Sequence, residues 1–197
     1  MADVALAFAD DTEKDWFEII EGVKVMAASA RYNHNTVAAR IFSVFDQYFF
    51  KQNVDNLAIP DVDVYLPEGN IFRPDVCVIA SSSDIGEDGK VHGVPALVVE
   101  ILSPSTMKND LGKKKILYAK NGVKEYWIVN CRSKDVLVYK LNDENHYELD
   151  EAYHAYTQGE LDGLDDEARA DVKENIQSVI FSELSIDVKE LFRGLPG

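Results

Sequence analysis

Two carboxylates stand where apolar side chains are expected. Asp75 follows Arg73-Pro74 and opens the run Val76-Cys77-Val78-Ile79, and Glu100 interrupts Pro95-Ala96-Leu97-Val98-Val99-Glu100-Ile101-Leu102. Both runs are rich in Val and Ile, have the length of a strand and carry Pro at their ends, the pattern of buried strands. A buried Asp or Glu is costly unless it is paired or bound to a metal. Two of them on strands close in sequence suggest a shared cation. Oxygen ligands on a rigid sheet suit Mg²⁺ or Mn²⁺, with the Ile101 carbonyl as a further ligand. An ion of that kind polarises a phosphoryl oxygen and activates water. The competing reading is structural: Asp75 caps a strand start, and Glu100 pairs with Arg73 or a lysine.

A second group follows within one segment. Asp110, Lys114 and Tyr118 recur every four residues and would form one stripe on a helix. Lys114 would then lean over the acids, orienting water or stabilising charge on a phosphate. An exposed Asp–Lys pair beside a packed Tyr118 is the plainer alternative. His34, at the front of a long amphipathic segment, would meet a phosphate at a helix N-terminus or serve as a surface residue. Glu18 and Glu21 flank a hairpin, and one of them would be a supplementary acid near the ion. His92, His146 and His154 have no metal-ligand spacing. The chain has no phosphate loop, dinucleotide fingerprint, nucleophile elbow or zinc-protease helix.

These residues need elements to hold them. Phe17 to Ile20 and Val23 to Ala28 read as a hairpin that begins at Trp16. Val37, Ile41, Val44, Phe45, Tyr48 and Phe49 predict a helix over 35–52, with Asn33 as its cap. Val62, Val64 and Leu66 alternate with polar residues as a half-buried strand, after a loop that Ile59-Pro60 ends. Met107 to Lys120 reads as a helix closed by Gly122. Glu125 to Asn130, Val136 to Leu141 and His146 to Ala155 follow as strands. A polar insertion spans 158–175, helical around 165–170. A last strand over 176–181 and a terminal helix over 187–192 end the pattern. Strands outnumber helices and come in runs, which indicates α+β with a mixed central sheet.

The chain has 197 residues, 46% of them apolar, enough for one domain with a real core. No apolar run approaches membrane-spanning length and no signal pattern is present, so a non-secreted, cytoplasmic protein with no membrane partner is expected. Cys77 and Cys131 are read as buried free thiols. The net charge of −15 argues against a general nucleic-acid binder. The charge is uneven: residues 108–124 hold six lysines against Asp110, and residues 142–174 carry a local balance of −10.

Taken together, Pro74-Asp75, the segment Val98-Val99-Glu100-Ile101-Leu102-Ser103-Pro104-Ser105, then Asp110, Lys114 and Tyr118, and Gly122-Val123-Lys124-Glu125-Tyr126-Trp127 resemble the PD-(D/E)xK nuclease superfamily. More closely they resemble its Uma-two family of restriction-endonuclease-like bacterial proteins. Phe17 to Gly22 and His34 fit the same pattern, so the resemblance spans about 16–141. It implies a restriction-endonuclease-like fold: a single domain over 1–197, with a nuclease-like core and a C-terminal acidic extension over 142–197. It implies Mg²⁺ or Mn²⁺ on Asp75 and Glu100, and hydrolysis of DNA phosphodiesters with Lys114 as the third catalytic residue. His34, Asp110, Tyr118 and Glu18 would support them. One departure stands out: the superfamily places lysine two residues after the glutamate, and here that residue is Leu102. Lys114, from the following helix, takes the role in its place. Cutting two strands asks for two sites, so a homodimer is expected. The rivals are an inactive nuclease-fold module and a hydrolase of another phosphate ester.

Overall fold

The computed structural model describes residues 17–26 and 31–196. Trp16 and residues 27–28, expected at the ends of the first hairpin, lie outside the described residues. Within them the hairpin is β1 (Phe17–Ile20) and β2 (Val23–Met26). Its turn places Glu21 and Gly22 at φ of 51° and 77°, the successive positive values that match the twist of a two-residue hairpin. Helix α1 (Tyr32–Gln52) leads into β3 (Leu57–Pro60), β4 (Val64–Tyr65), β5 (Ile71–Phe72), β6 (Val76–Ile79) and β7 (Leu97–Ile101). Next come α2 (Met107–Asn109), a π-helical turn over Asp110–Lys114, and α3 (Lys115–Lys120), which run into one another. Strands β8 (Glu125–Asn130), β9 (Asp135–Leu141) and β10 (Tyr147–His154) form a meander. Helices α4 (Gln158–Asp162) and α5 (Asp166–Ala170), strands β11 (Asn175–Gln177) and β12 (Ser185–Asp187), and α6 (Val188–Phe192) complete the chain.

The main sheet has six strands in the order β10-β9-β8-β7-β6-β3. Its pairs are antiparallel except β7 with β8, which is parallel. A parallel pair needs a crossover, and the segment from α2 to α3 supplies it. This is the mixed α+β sheet flanked by helices that the strand runs predicted. A smaller antiparallel sheet, β2-β1-β5-β4, covers part of one face.

Alternation along the central strands sorts two cores. Val76, Val78, Leu97, Val99, Ile101, Trp127 and Val129 pack with Val37, Ile41, Phe45 and Phe49 of α1. Cys77, Ile79, Val98, Tyr126 and Ile128 turn the other way, onto Ile20, Phe72, Leu117 and Tyr118. A sheet covered on both faces has near-continuous apolar strands, which is why these runs carry so few polar residues. The first core also takes Ile176, Leu184, Ile186, Val188, Leu191 and Phe192 from the C-terminal segment.

Several local expectations differ from the structure. Helix α1 starts at Tyr32, ahead of the predicted 35, and its cap position is Arg31 with no side-chain cap bond. Asn33 does not cap it, because its Nδ2 donates to Pro196 O at 2.8 Å. The stretch read as a loop before Val62 contains the edge strand β3; its Pro60 closes the strand at the sheet border, where a missing N–H is tolerated. The strand predicted over Val62, Val64 and Leu66 shrinks to β4 in the small sheet. The last predicted strand is shorter, and its partner β12 was not expected.

Candidate functional site

Strands β6 and β7 pair in the register Val76↔Val99 and Cys77↔Val98. Continued by one residue, that register sets Asp75 opposite Glu100, the arrangement in which side chains of an antiparallel pair meet. Asp75 itself lies in a bend just before β6. Its Oδ2 accepts from the Ile101 N–H at 2.6 Å, and its Oδ1 lies 3.2 Å from His34 Nε2. Ile101, expected to offer its carbonyl to an ion, thus also holds Asp75 through its amide.

Glu100 is buried on the Tyr118 side of the sheet. Its Oε1 accepts from Tyr118 OH at 3.0 Å and lies 2.7 Å from Lys114 Nζ. Neither contact uses Oε2. The ammonium of Lys114, whose side chain is 3% exposed, also lies 2.8 Å from Glu18 Oε1 and 3.4 Å from Asp110 Oδ1. The ammonium is therefore within ion-pair distance of three carboxylates, from β1, β7 and the π-helical turn. The plainer reading of the helix stripe, an exposed ion pair, does not hold, since Asp110 and Lys114 are both buried. The structural reading of Glu100 holds in part: a lysine does neutralise one of its oxygens.

The π-helical turn widens the helix where Asp110 and Lys114 sit, a local insertion of the kind found at functional sites. Tyr126 OH donates to the Asp110 carbonyl at 3.0 Å and pins this turn to β8. Glu18 reaches in from the small sheet, where its Oε1 also accepts from the Arg73 N–H at 2.8 Å. Glu18, Glu100, Asp110, Lys114 and Tyr118 are thus joined in one network, and the His34–Asp75 pair lies beside it, opposite Glu100 in the strand register.

The cluster is over-supplied with negative charge. Burial raises the Glu100 carboxyl well above the usual carboxylate range; Lys114 opposes the rise, while Asp110, Asp75 and Glu18 add to it. Burial also raises Asp110, with Lys114 again opposing. Burial alone would lower Lys114, but Glu100, Glu18 and Asp110 outweigh it and hold the ammonium charged. Burial likewise pulls His34 down, and the contact with Asp75 more than restores it. Asp110 Oδ1 is buried without a hydrogen-bond partner. Among the described residues, no three His, Cys, Asp or Glu side chains converge as a ready-made metal cage.

The basic segment is largely consumed within the protein. Lys113 pairs with Glu21 at 2.7 Å, Lys120 pairs with Glu68 at 2.9 Å, and Lys115 covers the ring of Tyr139 at 3.5 Å. Sequence reasoning also passed over Glu125 as an individual residue. It is fully buried and accepts from Trp127 Nε1 at 2.6 Å, Ser178 Oγ at 2.8 Å, and the Val179 and Ile180 N–H groups at 3.0 and 3.1 Å. Only its place as an acid opening an apolar strand marked it. Cys77 is buried and free, with its thiol pushed by burial up to about 12, whereas Cys131, also free, is only half-buried rather than buried as expected.

Three findings place this architecture among known proteins. The chain is 26% identical over 140 residues to the uncharacterized protein slr1290 of Synechocystis sp. (strain ATCC 27184 / PCC 6803 / Kazusa), covering 70% of this chain and 73% of that protein. Its fold matches the crystal structure of a "putative nuclease belonging to DUF820" from Anabaena variabilis ATCC 29413, with a TM-score of 0.66, 20% identity and 89% of each chain covered. The family model described as "Uma2: Putative restriction endonuclease" matches residues 4–173, reaching beyond the motifs on both sides. A mixed sheet that gathers Asp75, Glu100 and Lys114 at its end, with a family match over most of its length, leads to one assignment: the chain belongs to the Uma2 family of restriction-endonuclease-like proteins.

Proposed function

We propose that this protein is a divalent-metal-dependent endonuclease that hydrolyses DNA phosphodiester bonds. The observation that carries this reading is the crowding of acids: Glu18, Glu100 and Asp110 surround the single ammonium of Lys114, and Asp75, held by His34 and the Ile101 amide, adds a fourth carboxylate near Glu100. Such an excess asks for protons or for a further cation. The donors are hard oxygens, and Mg²⁺ is commonly held by one or two carboxylates with water and substrate phosphate rather than by an all-protein cage. The residues therefore fit Mg²⁺ or Mn²⁺. Asp75, Glu100 and the Ile101 carbonyl would hold it.

The chemistry such an ion supplies when bound is Lewis acidity toward a phosphoryl oxygen and acidification of water. The protein's own residues prepare the place. The Ile101 amide and His34 fix the two oxygens of Asp75. Lys114 and Tyr118 hold Oε1 of Glu100 and leave Oε2 turned to other use. Lys114 also sets a permanent positive charge beside the reacting phosphate, where developing charge is stabilised without reorganisation. The protein acts in the cytoplasm, and a homodimer delivers one site to each strand.

The test is cleavage of labelled duplex DNA, RNA and free nucleotides with Mn²⁺, with Mg²⁺ and with chelator. Metal-dependent cuts in DNA that vanish in Asp75→Ala are expected. Turnover of free nucleotides alone sinks the endonuclease reading. A second reading, a nuclease fold kept as a metal-free binding module, is favoured by the saturation of Glu100 Oε1 and by Leu102 at the usual lysine position. Failure of the wild-type chain to bind Mn²⁺ would select it.

A further inference from the structure

Glu18 sits on β1, in the small sheet, yet one of its oxygens reaches two parts of the site. Oε1 accepts from the Arg73 N–H at 2.8 Å, two residues before Asp75. The same Oε1 lies 2.8 Å from Lys114 Nζ, which lies 2.7 Å from Glu100 Oε1. The side chain is nearly buried, at 10% exposure. Little in the hairpin's own pairing would fix it there, because β1 meets β5 through the single pair Ile19↔Ile71.

We infer that Glu18 is a positioning residue that sets both acids of the site without binding the ion itself. It acts on Glu100 through the ammonium of Lys114, and on Asp75 through the amide of Arg73. This assignment rests on the metal-dependent reading above, but its geometric part does not. A carboxylate that served as a direct ligand would need its charge on the ion. A carboxylate that works through an amide and an ammonium needs an acceptor oxygen in the right place. Gln keeps such an oxygen, and Ala does not. Partners that orient metal ligands typically cost about ten- to a hundredfold in metal affinity when removed.

The experiment measures Mn²⁺ binding to substrate-free protein for wild type, Glu18→Gln, Glu18→Ala and, as a control, Asp75→Ala. Amide hydrogen exchange at Ile101, whose N–H donates to Asp75, is followed in the same samples. Glu18→Gln is expected to keep Mn²⁺ affinity within about threefold, whereas Glu18→Ala loses about tenfold or more and speeds Ile101 exchange. If Glu18→Ala does not fold, Glu18→Asp replaces it, since the shorter side chain withdraws the same oxygen. Equal losses in the Gln and Ala variants would make Glu18 a ligand and overturn the assignment. No loss in the Ala variant would make it a bystander and overturn it too. If wild type takes up no Mn²⁺, the metal reading fails, and Ile101 exchange alone decides whether Glu18 positions Asp75.

Discussion

Glu100 and Glu125 are both buried acids on neighbouring parallel strands, and their surroundings are opposite. Glu125 accepts from four neutral donors: an indole N–H, a hydroxyl and two backbone amides. Among the described residues no other acid joins it there, and its contacts stitch β8 to residues 178–180. Glu100 shares one ammonium with Glu18 and Asp110, and faces Asp75 across the strand pair. The first environment is complete; the second crowds three acids around one ammonium, and burial with mutual repulsion raises Glu100 and Asp110. Burial of a carboxylate is therefore no sign of function by itself. What separates these two acids is whether neutral donors satisfy them.

The comparison breaks most visibly through activity. Asp75→Ala or Glu100→Ala should lower metal-dependent DNA cleavage by about a thousandfold, ~4 kcal/mol of barrier, as read by timed gels on protein of unchanged circular dichroism. Glu125→Ala should do the reverse: it strands four buried donors and costs roughly 3 kcal/mol in urea unfolding, while the folded fraction keeps its cleavage rate. Either acid behaving like the other would dissolve the distinction.

A subtler contrast lies in pH. Burial raises the Glu125 carboxyl above its ordinary value of 4.5, against the pull of Trp127, Ile180, Ser178 and Val179. The folded chain then holds a proton that the unfolded chain has released, so this residue's contribution to stability falls as pH climbs through that window. Urea midpoints measured from acid to neutral pH should show this fall in wild type and not in Glu125→Gln. The smallest effect belongs to the surface: Lys113→Ala breaks an exposed pair with Glu21 and should change stability by less than about 1 kcal/mol.

Much of this arrangement was legible from residue types. Two carboxylates in Val- and Ile-rich runs flagged the central strands, while the sorting of those runs onto two cores came only with the structure. The four-residue stripe put Asp110, Lys114 and Tyr118 on one segment, and the structure joins all three to Glu100 through Lys114 and Tyr118. The π-helical turn was not legible, because its spacing mimics an ordinary helix. Strand β3 was missed because Leu57 to Pro60 is short and ends in proline. The depth of Lys114 was hidden as well, since both residues beside it, Lys113 and Lys115, are charged and suggest solvent. The pairing of Lys113 and Lys120 with distant glutamates depends on tertiary placement that no local pattern encodes.

The way the C-terminal segment folds back has a practical consequence for anyone trimming this protein. Asn33 and Arg40 of α1 donate to the carbonyls of Pro196 and Leu191, and Glu125 grips residues 178–180. A version cut after residue 173, where the family match stops, would remove six apolar side chains from the first core. Each is worth roughly 1.5–3 kcal/mol when fully buried, and the cut would also expose the anchor carboxylate. Expression designs that honour the homology boundary would thus yield an insoluble fragment, whereas those that keep residues 174–196 retain the clasp that closes α1 against the sheet.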